Sequence, residues 1–167
     1  YDDLSRAITT TDATGRAMVS VYEREGNSVE TRICYAGVCQ TQSSFDYDQL
    51  GRLIAQSDAL SNTTRFAYDA AGNRVAMIDA NGIETRYGYD GLSRLISVTE
   101  NYSTTGLSDY QTNLITRYGY DQIGNRVVMT NARGYTTTYT YDALSRQIAA
   151  TDPLGHTAHY GYNALGN

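Results

Sequence analysis

The chain has 167 residues, with 13 basic side chains, all Arg, against 18 acidic ones and a net charge of −5, so the basic stripe of a nucleic-acid footprint is missing. Tyr dominates, 16 against 2 Phe and no Trp, beside 15 Gly and 1 Pro, and no apolar run approaches the ~20 residues of a helical membrane span. This length can bury roughly 70% of its unfolded-state surface; there is no signal segment at Tyr1, and the chain opens and closes in mid-pattern, as a section of a larger protein would.

Read from the start, the chain repeats itself. Tyr-Asp or a close variant falls at Tyr1, Tyr22, Tyr47, Tyr68, Tyr89, Tyr120, Tyr141 and Tyr162, at spacings of 21, 25, 21, 21, 31, 21 and 21. A fixed period of this size marks a repeat architecture. The domain expectation is one array over 1–167, seven complete units and the start of an eighth, with insertions near 28–45 and 100–116.

Five residues after each of these aromatics come Arg and Asn in alternation: Arg6, Asn27, Arg52, Asn73, Arg94, Asn125, Arg146 and Asn167. The residue before each Asn is Gly; before Arg it is Ser5, Gly51, Ser93 or Ser145. Asp-x-x-Gly suits a type I turn whose next residue sits at positive φ, and the Gly/Ser difference predicts two variants of that turn. About ten residues on lies a second turn signal, at Asp12/Gly15, Asp58/Ser61, Asp79/Gly82, Asn131/Gly134 and Asp152/Gly155. Turns alternating at this pace leave about seven extended residues between them, so each repeat reads as one β-hairpin.

Period 2 holds between the turns. Phe45/Tyr47, Phe66/Tyr68, Tyr87/Tyr89, Tyr118/Tyr120, Tyr139/Tyr141 and Tyr160/Tyr162 are aromatic pairs at i and i+2, so both rings of a pair share one face. Side by side they predict a stripe of rings that fixes register and forms the mechanical core. Tyr89→Ala is expected to cost several kcal/mol and Asp109→Ala in the second insertion almost nothing. Arg65, Arg86 and Arg117 fall at odd steps and are expected on the opposite face, against solvent or cross-strand acids. Runs such as Leu53-Ile54 and Val127-Val128 begin the outgoing strands with contiguous apolar residues, which implies partial cover on both faces. No window has helical periodicity. The fold class is all-β: a curved antiparallel strip of 21-residue hairpins, some 15 or 16 strands long.

Cys34 and Cys39 flank Tyr35 to Val38 in the first insertion. If the flanking segments pair as strands, the cysteines face each other across a four-residue loop, a spacing that suits either a disulfide or two thiols at a hairpin tip. A bond there implies an oxidising setting.

The unit Tyr-Asp-x-x-Gly-Arg/Asn, a short strand, Asp-x-x-Gly, and a Thr-rich strand back to Tyr-Asp resembles the Rhs or YD-repeat family: bacterial Rhs polymorphic toxins, the cocoon component of insecticidal toxin complexes, and the YD shell of teneurins. The resemblance implies a strip that spirals into a hollow shell, often around a cytotoxic C-terminal domain. The function expected is a structural wall segment that encapsulates or presents a payload. Its partners would be the remaining repeats and that payload, its location secreted or at a cell surface. The rival is an adhesion module in which exposed Tyr and Asp faces, or the insertion loops, contact glycans or cell-surface proteins. The chain shows no match to the family's aspartyl-protease motif.

Catalytic groups are weighed against turn chemistry. Asp152-Pro153 resembles the Asp-Pro motif at which family members cleave themselves, yet it occupies the second-turn register, where Pro suits the second position of a type I turn. His156 and His159 sit three apart, which on a strand places them on opposite faces. The Asp residues fall where a turn needs a side-chain acceptor. No enzyme activity, metal or cofactor is expected. Terminal units with ordinary turn residues and no cap are expected to fray or self-associate.

Overall fold

The computed structural model describes every residue except Ser5, 105–110, Ala164 and Asn167. Asp109, most of the second insertion and the final Asn of the turn alternation therefore lie outside the described residues.

The described strands are β1 (Thr9–Thr11), β2 (Ala17–Tyr22), β3 (Ser28–Tyr35), β4 (Val38–Tyr47), β5 (Leu53–Asp58), β6 (Thr63–Tyr68) and β7 (Arg74–Ile78). They continue as β8 (Glu84–Tyr89), β9 (Leu95–Glu100), β10 (Leu114–Tyr120), β11 (Arg126–Thr130), β12 (Thr136–Tyr141), β13 (Gln147–Thr151) and β14 (Thr157–His159). There are 14 among the described residues, fewer than the 15 or 16 expected, and the opening Tyr1 joins no ladder. The chain divides into two units, one of Tyr1–Asp69 with Ala76–Ile83 and one of Ala70–Val75 with Glu84–Asn167. In the first, β1 to β6 lie side by side in chain order, each antiparallel to the next. In the second, β8 to β14 do the same.

Each turn is built by its own aspartate. In the Tyr-Asp turn of β4 and β5, Gly51 N donates to Asp48 O at 2.9 Å and Asp48 N to Arg52 O at 3.0 Å. The Asp48 carboxylate accepts from the amides of Leu50, 2.9 Å, and Arg52, 3.0 Å. The second turn type has the same bonds: Asp58 accepts from Leu60 and Asn62, and Asp152 from Leu154 and His156. A short acceptor side chain thereby satisfies amides that a tight turn points away from the ladder. The residue at positive φ is the fourth of the turn itself. Its angle is lower in the Arg units, 59° and 60° at Ser93 and Ser145 and 74° at Gly51, than in the Asn units, 103°, 91°, 97° and 84° at Gly26, Gly72, Gly124 and Gly166. Near +60° the left-handed region admits Ser; beyond about +90° a Cβ is disfavoured, and only Gly appears.

The strands after the Tyr22, Tyr47, Tyr89, Tyr120 and Tyr141 turns each carry a one-residue bulge. Tyr47 pairs with Leu53 and Asp46 with Ala55, leaving Ile54 unopposed; Ile96, Val127 and Ile148 are left out in the same way. The contiguous apolar pairs in the sequence mark these bulges, where two residues oppose one, rather than a stretch covered on both faces.

Among the described residues neither unit has a second layer over its sheet. Among the described residues only Ala149, 9% exposed, is enclosed, and the aromatic stripe is half-buried from Phe45 to Tyr141 and exposed at Tyr160 and Tyr162. The rings thus do not form the enclosed core that the sequence suggested; they lie along the sheet, and their energetics must be sought in what their edges and faces touch.

Candidate functional site

The recurrent site is the junction between one repeat and the next. Its first element is the Tyr of Tyr-Asp, whose hydroxyl donates to a backbone carbonyl of the preceding repeat: Tyr22 to Ala7 at 3.3 Å, Tyr47 to Ser28 at 3.1 Å, Tyr68 to Leu53 at 2.8 Å. Within the second unit Tyr89 bonds Arg74 at 3.1 Å, Tyr120 Leu95 at 2.8 Å, Tyr141 Arg126 at 2.9 Å and Tyr162 Gln147 at 2.8 Å. For Tyr47, Tyr68, Tyr120, Tyr141 and Tyr162 the acceptor is the residue just before the bulge. This explains why the ring before each of these turns is Tyr and never Phe, because only the phenol carries a donor.

Its second element is the Arg of the alternation. Arg52 Nε donates to Asp48 Oδ2 at 2.7 Å within its own turn, its Nη1 reaches the Asp69 carbonyl at 3.2 Å, and its guanidinium lies 4.8 Å from the Tyr68 ring centroid. Arg6 over Tyr22, Arg94 over Tyr120 and Arg146 over Tyr162 repeat the stacking at 4.6, 4.8 and 4.7 Å. One planar fork thereby bonds its own turn, the next turn's carbonyl and the next ring, which an ammonium cannot do. Asn is too short to cross. Asn125 Nδ2 bonds its own Asp121, at 2.9 Å. In these units the residue after Asn takes over: Arg74 lies 5.0 Å from the Tyr87 ring, and Arg126 lies 5.6 and 5.3 Å from those of Tyr118 and Tyr139. The step after Asn27 has Ser28 in that place, and there the chain inserts the long β3–β4 hairpin.

That hairpin holds the two cysteines. Cys34 pairs with Cys39 across the strands, their Cα atoms are 4.0 Å apart, and their sulfurs are bonded. Tyr35 and Val38 also pair, so the loop is the two-residue Ala36-Gly37 turn, both at positive φ, rather than the four residues expected. On the same hairpin Glu30 accepts from Arg32 at 2.5 Å and from Thr41, which pull its carboxyl down to about 2.

The carboxylates are occupied by the turns. The Arg52 and Arg94 amides, and then the guanidinium of each, hold Asp48 and Asp90 below the ordinary carboxylate range; for Asp142 the Arg146 guanidinium comes first. Asp152 is lowered chiefly by the His156 ring, whose Nδ1 lies 2.9 Å from Oδ2. The Asp-Pro pair is thus one more Asp-built turn, and His156 fills the place that Asn62 takes beside Asp58. Among the described residues no cluster of His, Cys, Asp or Glu could hold a metal ion. Arg86 pairs with Glu84 two residues back on its own strand, 2.7 Å, and lies 3.6 Å from the Tyr102 ring. Of the rings a sugar could have stacked on, Tyr68 and Tyr120 already carry a guanidinium.

Residues 47–84, 75–105 and 120–157 match the family model described as RHS Repeat. No curated protein matches the chain in sequence. Among solved structures, the TcdB2–TccC3 protein without its hypervariable C-terminal region is similar at TM-score 0.78 and 17% identity, over 100% of this chain and 10% of that one. The TcdB2–TccC3–Cdc42 structure is similar at TM-score 0.78 and 18% identity, over 98% and 10%. The Tc holotoxin pore of Photorhabdus luminescens, carrying a TccC3 mutation, is similar at TM-score 0.75 and 18% identity, over 95% and 9%. The chain spans about a tenth of the length of the structures it matches.

Proposed function

This chain belongs to the RHS repeat family, and from that premise we propose that it is a wall segment of a larger RHS protein, one that encloses or presents a payload domain carried by the same parent. The observation that carries the reading is where the polar chemistry goes. Tyr hydroxyls bind the preceding repeat's backbone, Arg forks bind the following turn, and turn carboxylates bind their own amides. Such a set of bonds holds neighbouring hairpins in register, and among the described residues no cluster of His, Cys, Asp or Glu could hold a metal ion. The structural likeness to TcdB2–TccC3 supports the same fold. The Cys34–Cys39 disulfide favours export to an oxidising compartment.

Protease shielding tests the proposal. In the parent protein a folded domain that follows the repeats should resist added protease while the wall is intact. Replacing Arg52, Arg94 and Arg146 by Ala should render it digestible, with its own activity unchanged. Equal digestion of that domain in both proteins would remove the wall reading.

A further inference from the structure

One stretch of strand in the first unit has a neighbour on one side only. β4 runs beside β3 over 38–44 but beside β5 only over 43–47, because β5 turns at Asp58. Among the described residues this leaves 38–42 as an overhang of five residues, against two on β12, Thr136 and Thr137, and three on β10, 114–116. The register says which backbone groups stand open. Cys34 and Cys39 are 4.0 Å apart at Cα, the short spacing of a pair that exchanges no ladder hydrogen bonds. Alternation then gives those bonds to Tyr35/Val38 and Ile33/Gln40 and none to Arg32/Thr41. The N–H and C=O of Cys39 and of Thr41 therefore point away from β3, into the gap beyond the β5–β6 turn. On the other side of the hairpin the equivalent groups of Cys34 and Arg32 face β2, which pairs with them at Ala17 and Val19.

An open strand edge templates pairing, and proteins ordinarily blunt it with charge or Pro. Residues 38–42 read Val-Cys-Gln-Thr-Gln, without either. The bulge that also guards edges falls on Gln42, at the foot of the overhang, and leaves Cys39 and Thr41 in regular strand. An edge at the end of an array can be continued by the next repeat, whereas here β5 and its turn already occupy the place beside β4. The hairpin is also held in shape before anything arrives. The two-residue Ala36-Gly37 turn closes it and the Cys34–Cys39 bond crosses it, so an incoming strand meets an edge that needs no ordering.

We propose that this edge binds an extended peptide segment of a partner protein, uncharged and with apolar side chains at alternate positions, as an added strand. Among the described residues flanking the gap the charges are already matched: Glu30 and Arg32 bond one another at 2.5 Å, and Asp58 accepts from the Leu60 and Asn62 amides. An acidic or basic segment finds no counter-charge there. Val38, 66% exposed, and Leu60, 82% exposed on the turn at the foot of the gap, supply apolar contact instead. The inference concerns a surface of this chain and does not rest on the wall reading.

Residue-resolved hydrogen exchange on the 167-residue chain tests it, with acetyl-Thr-Val-Thr-Val-Thr-amide as the probe. In the free chain the Cys39 and Thr41 amides should exchange almost as fast as unfolded ones, while those of Val38 and Gln40 are protected by β3. The probe at about ten times its Kd should slow Cys39 and Thr41 roughly tenfold. Two control peptides at the same concentration should not: the fully N-methylated probe, which has no backbone donor, and acetyl-Thr-Glu-Thr-Glu-Thr-amide, which is charged. Cys39 and Thr41 already protected in the dilute free chain, exchange unmoved by the probe at every concentration, or equal slowing by either control overturns the proposal. Protection that rises with chain concentration in the absence of peptide gives the edge to a second copy of this chain and is equally fatal.

Discussion

Arg94→Lys keeps the charge and removes the fork, so it isolates what the Arg alternation does. The guanidinium makes three contacts: Nε to Asp90 Oδ2 at 2.7 Å, Nη1 to the Asp121 carbonyl at 3.3 Å, and its face 4.8 Å from the Tyr120 centroid. Lys can keep the first. The second is long for a charged bond and is given about 1 kcal/mol, below the usual charged range; the third contributes ~0.5–1 kcal/mol at an exposed site. The side chain is 30% exposed, so the ion pair itself carries little beyond these. Arg94→Lys should therefore cost about 2 kcal/mol, a roughly 30-fold loss of protection, confined to the two hairpins it joins. Native-state hydrogen exchange suits this test, because repeat arrays need not unfold in one step. Amides of Leu95 and Arg126 should lose protection while those of β4 keep theirs, and Arg65→Lys, at an exposed position on β6, should be silent within about 0.5 kcal/mol. Protection unchanged by Arg94→Lys would mean that net charge alone is selected at this position and that the junction is held by something else.

Three further outcomes follow from the same geometry. Tyr120→Phe should cost about 1 kcal/mol in denaturation, the net value of one hydrogen bond, because the Leu95 carbonyl 2.8 Å away loses its donor; a neutral substitution would detach the hydroxyl from stability. Gly124→Ala, at φ 97°, should destabilise by about 1–2 kcal/mol, whereas Ser145→Gly, at φ 60°, should fall within about 1 kcal/mol of neutral; equal losses would show that the two turn variants do not differ. Glu30 has a folded-state pKa of about 2 against an ordinary 4.5, so its stabilisation is full above pH 4.5 and disappears as pH falls toward 2. The gap in melting temperature between the chain and Glu30→Gln should close over that window, and a constant gap would contradict the Arg32 and Thr41 assignment.

What the sequence determined by itself was everything that depends on four or five consecutive residues. Asp-x-x-Gly builds its own turn because carboxylate, amides and the positive-φ residue all lie within that span, so the period, the hairpins and the all-β class are legible at Asp48, Asp58 and Asp90. Even the Gly/Ser difference at Gly124 and Ser145 was visible as two variants, although their angles were not. The tertiary structure alone decided what lies across the strands. Tyr68 finds Leu53 fifteen residues back, and Arg94 finds Asp121 across the second insertion, because neighbouring strands bring distant residues within about 5 Å. A ring's periodicity reveals its face but not where its hydroxyl ends, so the aromatic stripe read as a core when it is a row of half-buried anchors. The Leu53-Ile54 pair likewise read as two-sided burial, because a bulge is a mismatch of count between two strands and one strand's sequence cannot display it.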